Sequence, residues 1–162
     1  PNRQTAIPLA LRTPRVFVAR TFSKAYGMAG LRLGYAIGHA DTIAILSRWT
    51  HVFNTNNFSN AAAVASLNDP DQVVQERARN KEARDYTLKF FADAGYESAD
   101  SQTNFLFVNL GRPASEFRAA CAEHNVHVGR DFPPMEKTHC RISIGTMDEM
   151  RRATEVFKQV LA

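Results

Sequence analysis

The feature that most constrains this fold is a long charged segment near the middle of the chain, residues 71–94. Asp69 and Pro70 precede it as helix-start signals, because an aspartate caps a helix well and a proline fits its first turn. Gly95 follows it and can adopt the left-handed conformation that ends a helix. Apolar residues are sparse until the last turns, so we predict one long helix that is partly exposed in its middle and separates two parts of the chain.

The part before this helix contains two short apolar runs. Residues 1–14 carry three prolines and no periodic pattern, and they predict a connecting segment. The run Val16-Phe-Val-Ala19 predicts a buried strand, and Leu33 to Ile37 predicts a second strand. We then expect a helix capped by Asp41 and a helix of small residues over 59–67.

The part after the long helix has the pattern of a small α/β domain. Phe105 to Leu110 is almost continuously apolar and predicts a strand covered on both faces, followed by a helix over 113–123 and a short strand over 126–128. Cys140 to Ile144 alternates strictly, which places Arg141 on the face opposite the apolar side chains. Thr146-Met-Asp-Glu149 is a capping box that starts a last helix. Together these elements predict a small α/β sandwich.

Composition limits the classes of function. The 162 residues include 20 Lys and Arg against 16 Asp and Glu, without a long basic run, which favours small anionic ligands over nucleic acid. No apolar stretch reaches the about 18 residues that span a bilayer, so we expect no membrane partner. The N-terminal residues lack the pattern of a secretion signal. Cys121 and Cys140 lack CxxC spacing and the histidines are scattered, so we expect reduced thiols, no metal site and a cytoplasmic location.

The loop between the first two predicted strands carries the most reactive set of side chains. Lys24 follows the hydroxyls of Thr21 and Ser23, and nearby glycines let backbone approach a ligand closely. A lysine in such a site can lose its proton and form a Schiff base with a carbonyl group. Arg32 carries the planar guanidinium that binds a phosphate through two hydrogen bonds. Each cation taken alone also fits a solvated surface residue.

The pattern Ser23-Lys24-x-x-Gly27-x-x-Gly30-x-Arg32-x-Gly34-Tyr35 resembles the lysine motif of the fold-type I pyridoxal-phosphate aminotransferases, classes I and II. It is most similar to their histidinol-phosphate aminotransferase branch. The resemblance continues through the Asn- and Ala-rich segment 54–69, the long helix, Thr103-Asn-Phe-Leu-Phe107 and Cys140-Arg-Ile-Ser-Ile-Gly-Thr146.

This resemblance implies an α/β fold in three parts. Residues 1–70 would be the C-terminal remnant of the large cofactor-binding domain, with a lysine-bearing strand, loop and strand followed by helices. Residues 71–94 would be the interdomain helix, and residues 95–162 the small C-terminal α/β domain. The family's upstream cofactor residues cannot be assigned to this chain. We therefore expect a C-terminal portion that is inactive when isolated.

The resemblance also implies roles for individual residues. Lys24 would form the Schiff base with pyridoxal 5'-phosphate and carry the proton between the substrate Cα and the cofactor C4′. Thr21, Ser23 and Arg32 would hold the cofactor phosphate, and Arg141 would bind the α-carboxylate of the amino acid.

Two further residues are implied to line the substrate pocket, Asn104 and Arg130. The implied reaction moves an amino group between an amino acid or amino-alcohol phosphate and a 2-oxo acid, in a homodimeric enzyme of amino-acid biosynthesis. Two alternatives stay open at this point. One is a pyridoxal-phosphate decarboxylase or other lyase with the same lysine motif. The other is a non-catalytic regulatory or dimerisation module joined to a DNA-binding domain.

Overall fold

The computed structural model describes residues 4–162. Contacts divide the chain into two compact units, one ending at Val74 and one running from Gln75 to Ala162. Within residues 4–162, no helix combines the length and apolar character needed to cross a membrane. In chain order the helices and strands are α1 (Ile7–Arg12), β1 (Phe17–Thr21), β2 (Gly34–Gly38), α2 (Ala40–Ser47), α3 (Asn57–Leu67), α4 (Gln72–Asp93), β3 (Phe105–Asn109), α5 (Ala114–Glu123), β4 (His139–Ser143) and α6 (Met147–Leu161).

The first unit contains a two-stranded antiparallel sheet of β1 and β2, in which Thr21 lies opposite Gly34. The strands lie where the sequence predicts them, but the prediction that the first is buried is wrong. Phe17 is 49% exposed, and Val18 is the one half-buried position of β1. Helices α1 and α2 contact this sheet and still leave most of its side chains open to solvent.

Helix starts in the first unit differ from the sequence predictions. Helix α1 lies inside the predicted connecting segment; its proline is in the first turn, where proline is tolerated, and Ala10 is fully buried. Helix α2 is capped by His39, whose Nδ1 accepts from the backbone N–H of Asp41 at 3.3 Å, so Asp41 is not the cap. Helix α3 starts two residues earlier than expected, because the side chain of Asn56 accepts from the N–H of Ser59 at 2.8 Å.

The long helix α4 forms where the sequence predicts it, between Gln72 and Asp93. Asp69 Oδ1 accepts from the backbone N–H groups of Asp71 and Gln72, at 3.1 and 3.2 Å, just before the helix begins. Gly95 ends it with a φ of +82°, and the N–H of Tyr96 reaches back to the carbonyl of Phe91 at 2.8 Å. Burial is confined to the second half of the helix, as the sparse apolar residues of its first half predict.

The connection from α2 to the first turn of α3 carries the most exposed apolar side chains among residues 4–162. Their exposed fractions range from 81% to 96%. Soluble monomeric proteins rarely expose large contiguous apolar patches. This segment is therefore a candidate interaction surface. Its members are Trp49, Val52, Phe53 and Phe58.

The second unit is organised around the antiparallel pair β3 and β4. The register places Leu106 opposite Ile142 and Val108 opposite Cys140, and all four side chains are buried in one core. Helices α4, α5 and α6 complete this core with aromatic residues that contact one another. Among them are Phe91, Phe117 and Phe157.

Only one face of β3 is fully buried, so the prediction of a strand covered on both faces is wrong. Phe105 and Phe107 point to the other face and are half-buried. They share that face with Arg141, which lies opposite Phe107, as the alternation of β4 predicts. The core side of this sheet is covered by α4, α5 and α6.

The predicted strand over 126–128 does not form. Next to this segment, the N–H of Gly129 donates to the carbonyl of Arg141 on β4 at 2.9 Å. One hydrogen bond is too few for a strand ladder. Asn125 has a φ of +57°, which confirms the left-handed end predicted for α5. The second unit after α4 is therefore strand, helix, strand, helix, still an α/β arrangement.

The capping box of α6 forms as predicted. The hydroxyl of Thr146 accepts from the N–H of Glu149 at 3.3 Å, and Glu149 Oε2 accepts from the N–H of Thr146 at 2.7 Å. These bonds favour the ionised carboxylate and lower the pKa of Glu149. Helix α6 then buries Met150 and Phe157 against the β3–β4 sheet and its neighbours.

The capping box supplies a test of stability. Thr146→Ala should lower the free energy of unfolding by about 1 kcal/mol, measured by chemical denaturation at pH 7. The Thr146 hydroxyl also donates to Glu149 Oε2 at 3.0 Å and contributes, after the backbone N–H, to the lowered pKa of Glu149, so this part of the loss should be present above the ordinary carboxyl pKa of 4.5 and shrink as the pH falls through the lowered value. Ser115→Ala, on the exposed side of α5, is the control and should change stability by less than about 0.5 kcal/mol. Equal effects of the two changes would contradict the role of the cap.

The two thiols should resist alkylation in the folded chain. Cys121 and Cys140 are buried, and desolvation raises their pKa values to about 11 and about 12. The reactive thiolate is therefore scarce and inaccessible at pH 8. Iodoacetamide followed by mass spectrometry should find little labelling in buffer and two labels in guanidinium chloride. Rapid labelling of either residue without denaturant would contradict this packing.

Candidate functional site

The loop between β1 and β2 is anchored by one buried ring. Phe22 is 2% exposed, its N–H donates to the carbonyl of Leu33 at 3.1 Å, and its carbonyl accepts from Met28 at 3.0 Å. Its ring contacts Tyr26 and Tyr35, with centroids 4.9 and 5.6 Å apart. The loop is thus closed around Phe22, which fixes the backbone of the residues on either side.

Three of the predicted site residues lie next to this anchor. Thr21 Oγ1 accepts from the backbone N–H of Ser23 at 3.0 Å and lies 3.0 Å from the Ser23 hydroxyl. Lys24 is exposed, in the loop rather than at the end of a buried strand, and its carbonyl accepts from Gly27 at 2.8 Å. Gly27 has a φ of +68°, a conformation that favours glycine. The loop therefore presents an amine and two hydroxyls to solvent.

Arg32, the fourth residue of this group, follows a short 3₁₀ turn over Ala29–Leu31 in a left-handed conformation with φ +51°. Its Nη1 donates to the carbonyl of Ala29 at 2.6 Å, which uses one of the five guanidinium N–H groups. Sequence reasoning missed Ser59, whose hydroxyl is buried and donates to the carbonyl of Leu31 at 2.7 Å. Ser59 thereby holds the backbone next to Arg32.

Arg141 lies on the outer face of β4 and is half-buried. Its guanidinium carbon is 4.3 Å from the ring centroid of Phe105 and 5.6 Å from that of Phe132. Its Nε is buried and has no hydrogen-bond partner within the part of the chain that the structure describes. The arginine is therefore held by aromatic rings, and not solvated as a surface arginine would be.

Asn104 and Arg130 lie in the same unit as Arg141. The carbonyl of Asn104 accepts from the N–H of Ile144 at 2.9 Å, which ties this residue to the end of β4. Arg130 is exposed, and its guanidinium carbon is 4.7 Å from the ring centroid of Phe132. The guanidinium groups of Arg130 and Arg141 thus both lie beside the ring of Phe132.

Sequence reasoning missed Phe105 and Phe132. The alternation of β3 held a signal for Phe105, because an inward Leu106 requires Phe105 to share the outer face with Arg141. Phe132 lies in the irregular segment between α5 and β4, two residues after Arg130, and no local signal predicts its contact with Arg141, which forms only through the fold.

The family model for class I and II aminotransferases, "Aminotransferase class I and II", matches residues 2–157. The chain belongs to this family. The matched region covers nearly the whole chain and includes both the motif residues around the β1–β2 loop and Arg141 on β4.

Individual relatives agree with the family. The chain is 36% identical over 148 residues to a histidinol-phosphate aminotransferase of Symbiobacterium thermophilum, covering 91% of this chain and 41% of that protein. It is 41% identical over 150 residues to an aromatic amino acid aminotransferase of Rhodococcus opacus, covering 88% and 39%. The chain therefore spans less than half the length of these curated relatives.

A solved structure supports the fold. The histidinol-phosphate aminotransferase of Sinorhizobium meliloti, crystallised in complex with pyridoxal-5'-phosphate, superposes with a TM-score of 0.85 and 30% identity. The match covers 96% of this chain and 43% of that one. The fold is that of the fold-type I pyridoxal-phosphate aminotransferases, as the sequence predicts.

Two glycines of the loop region offer a matched test of its geometry. A Cβ at Gly34 would lie 2.7 Å from the carbonyl oxygen of Arg20, whereas a Cβ at Gly30 would meet no atom within 4 Å. Gly34→Ala should push the strands apart and lower the free energy of unfolding of the first unit by about 1–3 kcal/mol. Gly30→Ala should change it by less than about 0.5 kcal/mol. Amide hydrogen exchange of β1 and β2 measures the loss of stability in each variant. Equal exchange rates in the two variants would contradict the close approach of Gly34 to the Arg20 carbonyl.

Proposed function

We propose that this chain is part of a pyridoxal-phosphate-dependent aminotransferase of the histidinol-phosphate type. The reaction moves an amino group between an amino acid or amino-alcohol phosphate and a 2-oxo acid. The observation that carries the proposal is the β1–β2 loop, which presents the amine of Lys24, two hydroxyls and the guanidinium of Arg32 from one anchored turn. The names of the relatives support the same activity.

The side chains of the loop fit the chemistry of this cofactor. Thr21 and Ser23 place their hydroxyls 3.0 Å apart, and Arg32 keeps further N–H donors beyond the one bound to Ala29, a donor set suited to a phosphate. An exposed lysine amine beside it suits an aldehyde. When bound, pyridoxal phosphate supplies an electron sink for bonds at the substrate Cα.

The protein's own residues have distinct tasks in this proposal. The Lys24 amine would take the proton from the substrate Cα and deliver it to C4′ of the cofactor, as a general base and then a general acid. Arg141 binds the α-carboxylate of the substrate through its planar guanidinium, and Asn104 and Arg130 line the same pocket. Arg32, with Thr21 and Ser23, binds the cofactor phosphate and so fixes the reacting atoms near Lys24.

The domain division belongs to the same proposal. Residues 1–70 belong to the cofactor-binding domain, 71–94 form the interdomain helix, and 95–162 form the small domain. The boundary between the two compact units, which falls at the start of α4, supports a division in this region.

The proposed enzyme is a cytoplasmic homodimer. The exposed apolar side chains between α2 and α3 support self-association, because a surface of that kind is normally covered in a stable protein. The two buried free thiols support a reducing compartment.

Reductive trapping tests the assignment of Lys24. The full product of the gene is incubated with pyridoxal phosphate, reduced with borohydride and digested, and the labelled residue is mapped by mass spectrometry. Lys24 should carry the label, Lys24→Arg should abolish it, and the control Lys137→Arg, in an exposed turn, should leave it unchanged. The 162-residue chain alone should stay unlabelled at Lys24. A label on another lysine of the full product would overturn the assignment, and no label at all would favour a non-catalytic module.

Product analysis then separates transamination from carbon–carbon cleavage. Incubation with L-glutamate and a 2-oxo acid, or with an amino-alcohol phosphate and 2-oxoglutarate, should give the oxo product of the donor and the amino product of the acceptor in equal amounts. Release of carbon dioxide without an oxo-acid product would assign the protein to the decarboxylases.

A further inference from the structure

We propose that Phe132 is a positioning residue that orients the guanidinium groups of Arg130 and Arg141 toward one anionic group of the substrate. The inference deepens the proposed function and rests on its assignment of these two arginines to the substrate pocket. The anionic group is a carboxylate or a phosphate ester, the two groups that a guanidinium binds through paired N–H bonds.

The geometry places two cations at one ring. The guanidinium carbon of Arg130 is 4.7 Å from the Phe132 ring centroid, and that of Arg141 is 5.6 Å from the same centroid. Both distances lie within the range of cation–π attraction, about 6 Å. Two like charges repel each other, and a ring that attracts both offsets part of this repulsion, so both guanidinium groups can stay at the ring beside which the proposed anion binds.

Phe132 is itself held in place. Its ring makes an edge contact with Phe107 of β3, with centroids 6.2 Å apart at an interplanar angle of 84°. The preceding residue, Asp131, accepts two hydrogen bonds from the guanidinium of Arg118 on α5, at 2.5 and 3.3 Å. These contacts fix the segment that carries the ring, so the ring can impose a direction on the arginines.

Arg141 has a donor that aromatic contacts do not satisfy. Its Nε is buried without a hydrogen-bond partner among residues 4–162, although a buried N–H normally has one. Phe105 lies 4.3 Å from the guanidinium carbon and offers a π face but no acceptor. Arg141 is only partly buried, so an anion can reach the open part of its guanidinium and supply the acceptors that the rings lack, which favours Arg141 at the shared ring as part of the proposed site.

The test compares Phe132→Leu, which removes the ring, with Phe132→Tyr, which keeps it. Phe90→Leu is the control, because Phe90 is also half-buried in the second unit and contacts Phe91 and Phe157 instead of an arginine. NMR spectra of the 162-residue chain report the arginine Hδ and Nε resonances, which an aromatic ring shifts. Titration with inorganic phosphate gives the dissociation constant at these two side chains.

Phe132→Leu should remove the ring-induced shift at Arg130, reduce it at Arg141 and weaken phosphate binding about 3- to 10-fold. Phe132→Tyr and Phe90→Leu should leave shifts and affinity near those of the unchanged chain. The proposal is overturned if Phe132→Leu leaves the arginine resonances and the phosphate affinity unchanged, or if Phe90→Leu weakens phosphate binding equally.

The NMR and phosphate-binding test of Phe132 does not depend on the trapping of pyridoxal phosphate at Lys24. Failure of Lys24 to trap pyridoxal phosphate would remove the proposed aminotransferase activity and leave these shifts and affinities as measured. Normal trapping at Lys24 with unchanged arginine resonances in Phe132→Leu would retain the activity and remove the role of Phe132. In the full gene product, Phe132→Leu should raise KM for the anionic substrate more than it lowers kcat, and Phe132→Tyr should restore KM.

Discussion

The antiparallel pairing of β3 with β4 is the interaction on which the second unit depends. Because strand side chains alternate with a period of two, one register sends Leu106 and Ile142 into the core and Phe105 and Arg141 to the opposite face. A slip by one residue would bury an arginine and expose the core at the same time. The apolar packing that stabilises the unit thus also fixes the position of Arg141 on the opposite face.

The first unit depends on a different constraint, the close approach of two backbones at Gly34. There β2 passes the carbonyl of Arg20 closely enough to exclude any side chain, and the hairpin can then close over the ring of Phe22. The loop that presents Lys24 is therefore shaped by backbone hydrogen bonds and one aromatic anchor. Few other apolar side chains are buried in this unit among the described residues.

Some local signals in the sequence predicted the structure well, although the cap at Asp41 and the start of α3 were placed wrongly, and predictions of burial and strand pairing that depend on neighbouring elements failed more often. The capping box at Thr146 and the glycine at the end of α4 act within a few residues, and both formed as predicted. The burial of β1 and the short strand after Asn125 depend on what packs beside them, and both predictions were wrong. The candidate site divides likewise: the Lys24 motif is contiguous in the sequence, whereas Phe132 reaches Arg141 only through tertiary packing.

Buried apolar residues are distributed unevenly between the two units, and this affects which segments unfold locally. The continuous cluster of buried apolar residues lies entirely in the second unit, whereas the first unit buries Ala10, Phe22 and Ala63 among its described apolar residues. Segments with few buried contacts open at lower free energy than the global unfolding reaction. Within residues 4–162, the lysine loop should therefore open at a lower free energy than the segment that carries Arg141. A ligand that binds only the closed form of the loop lowers the population of its open form by mass action.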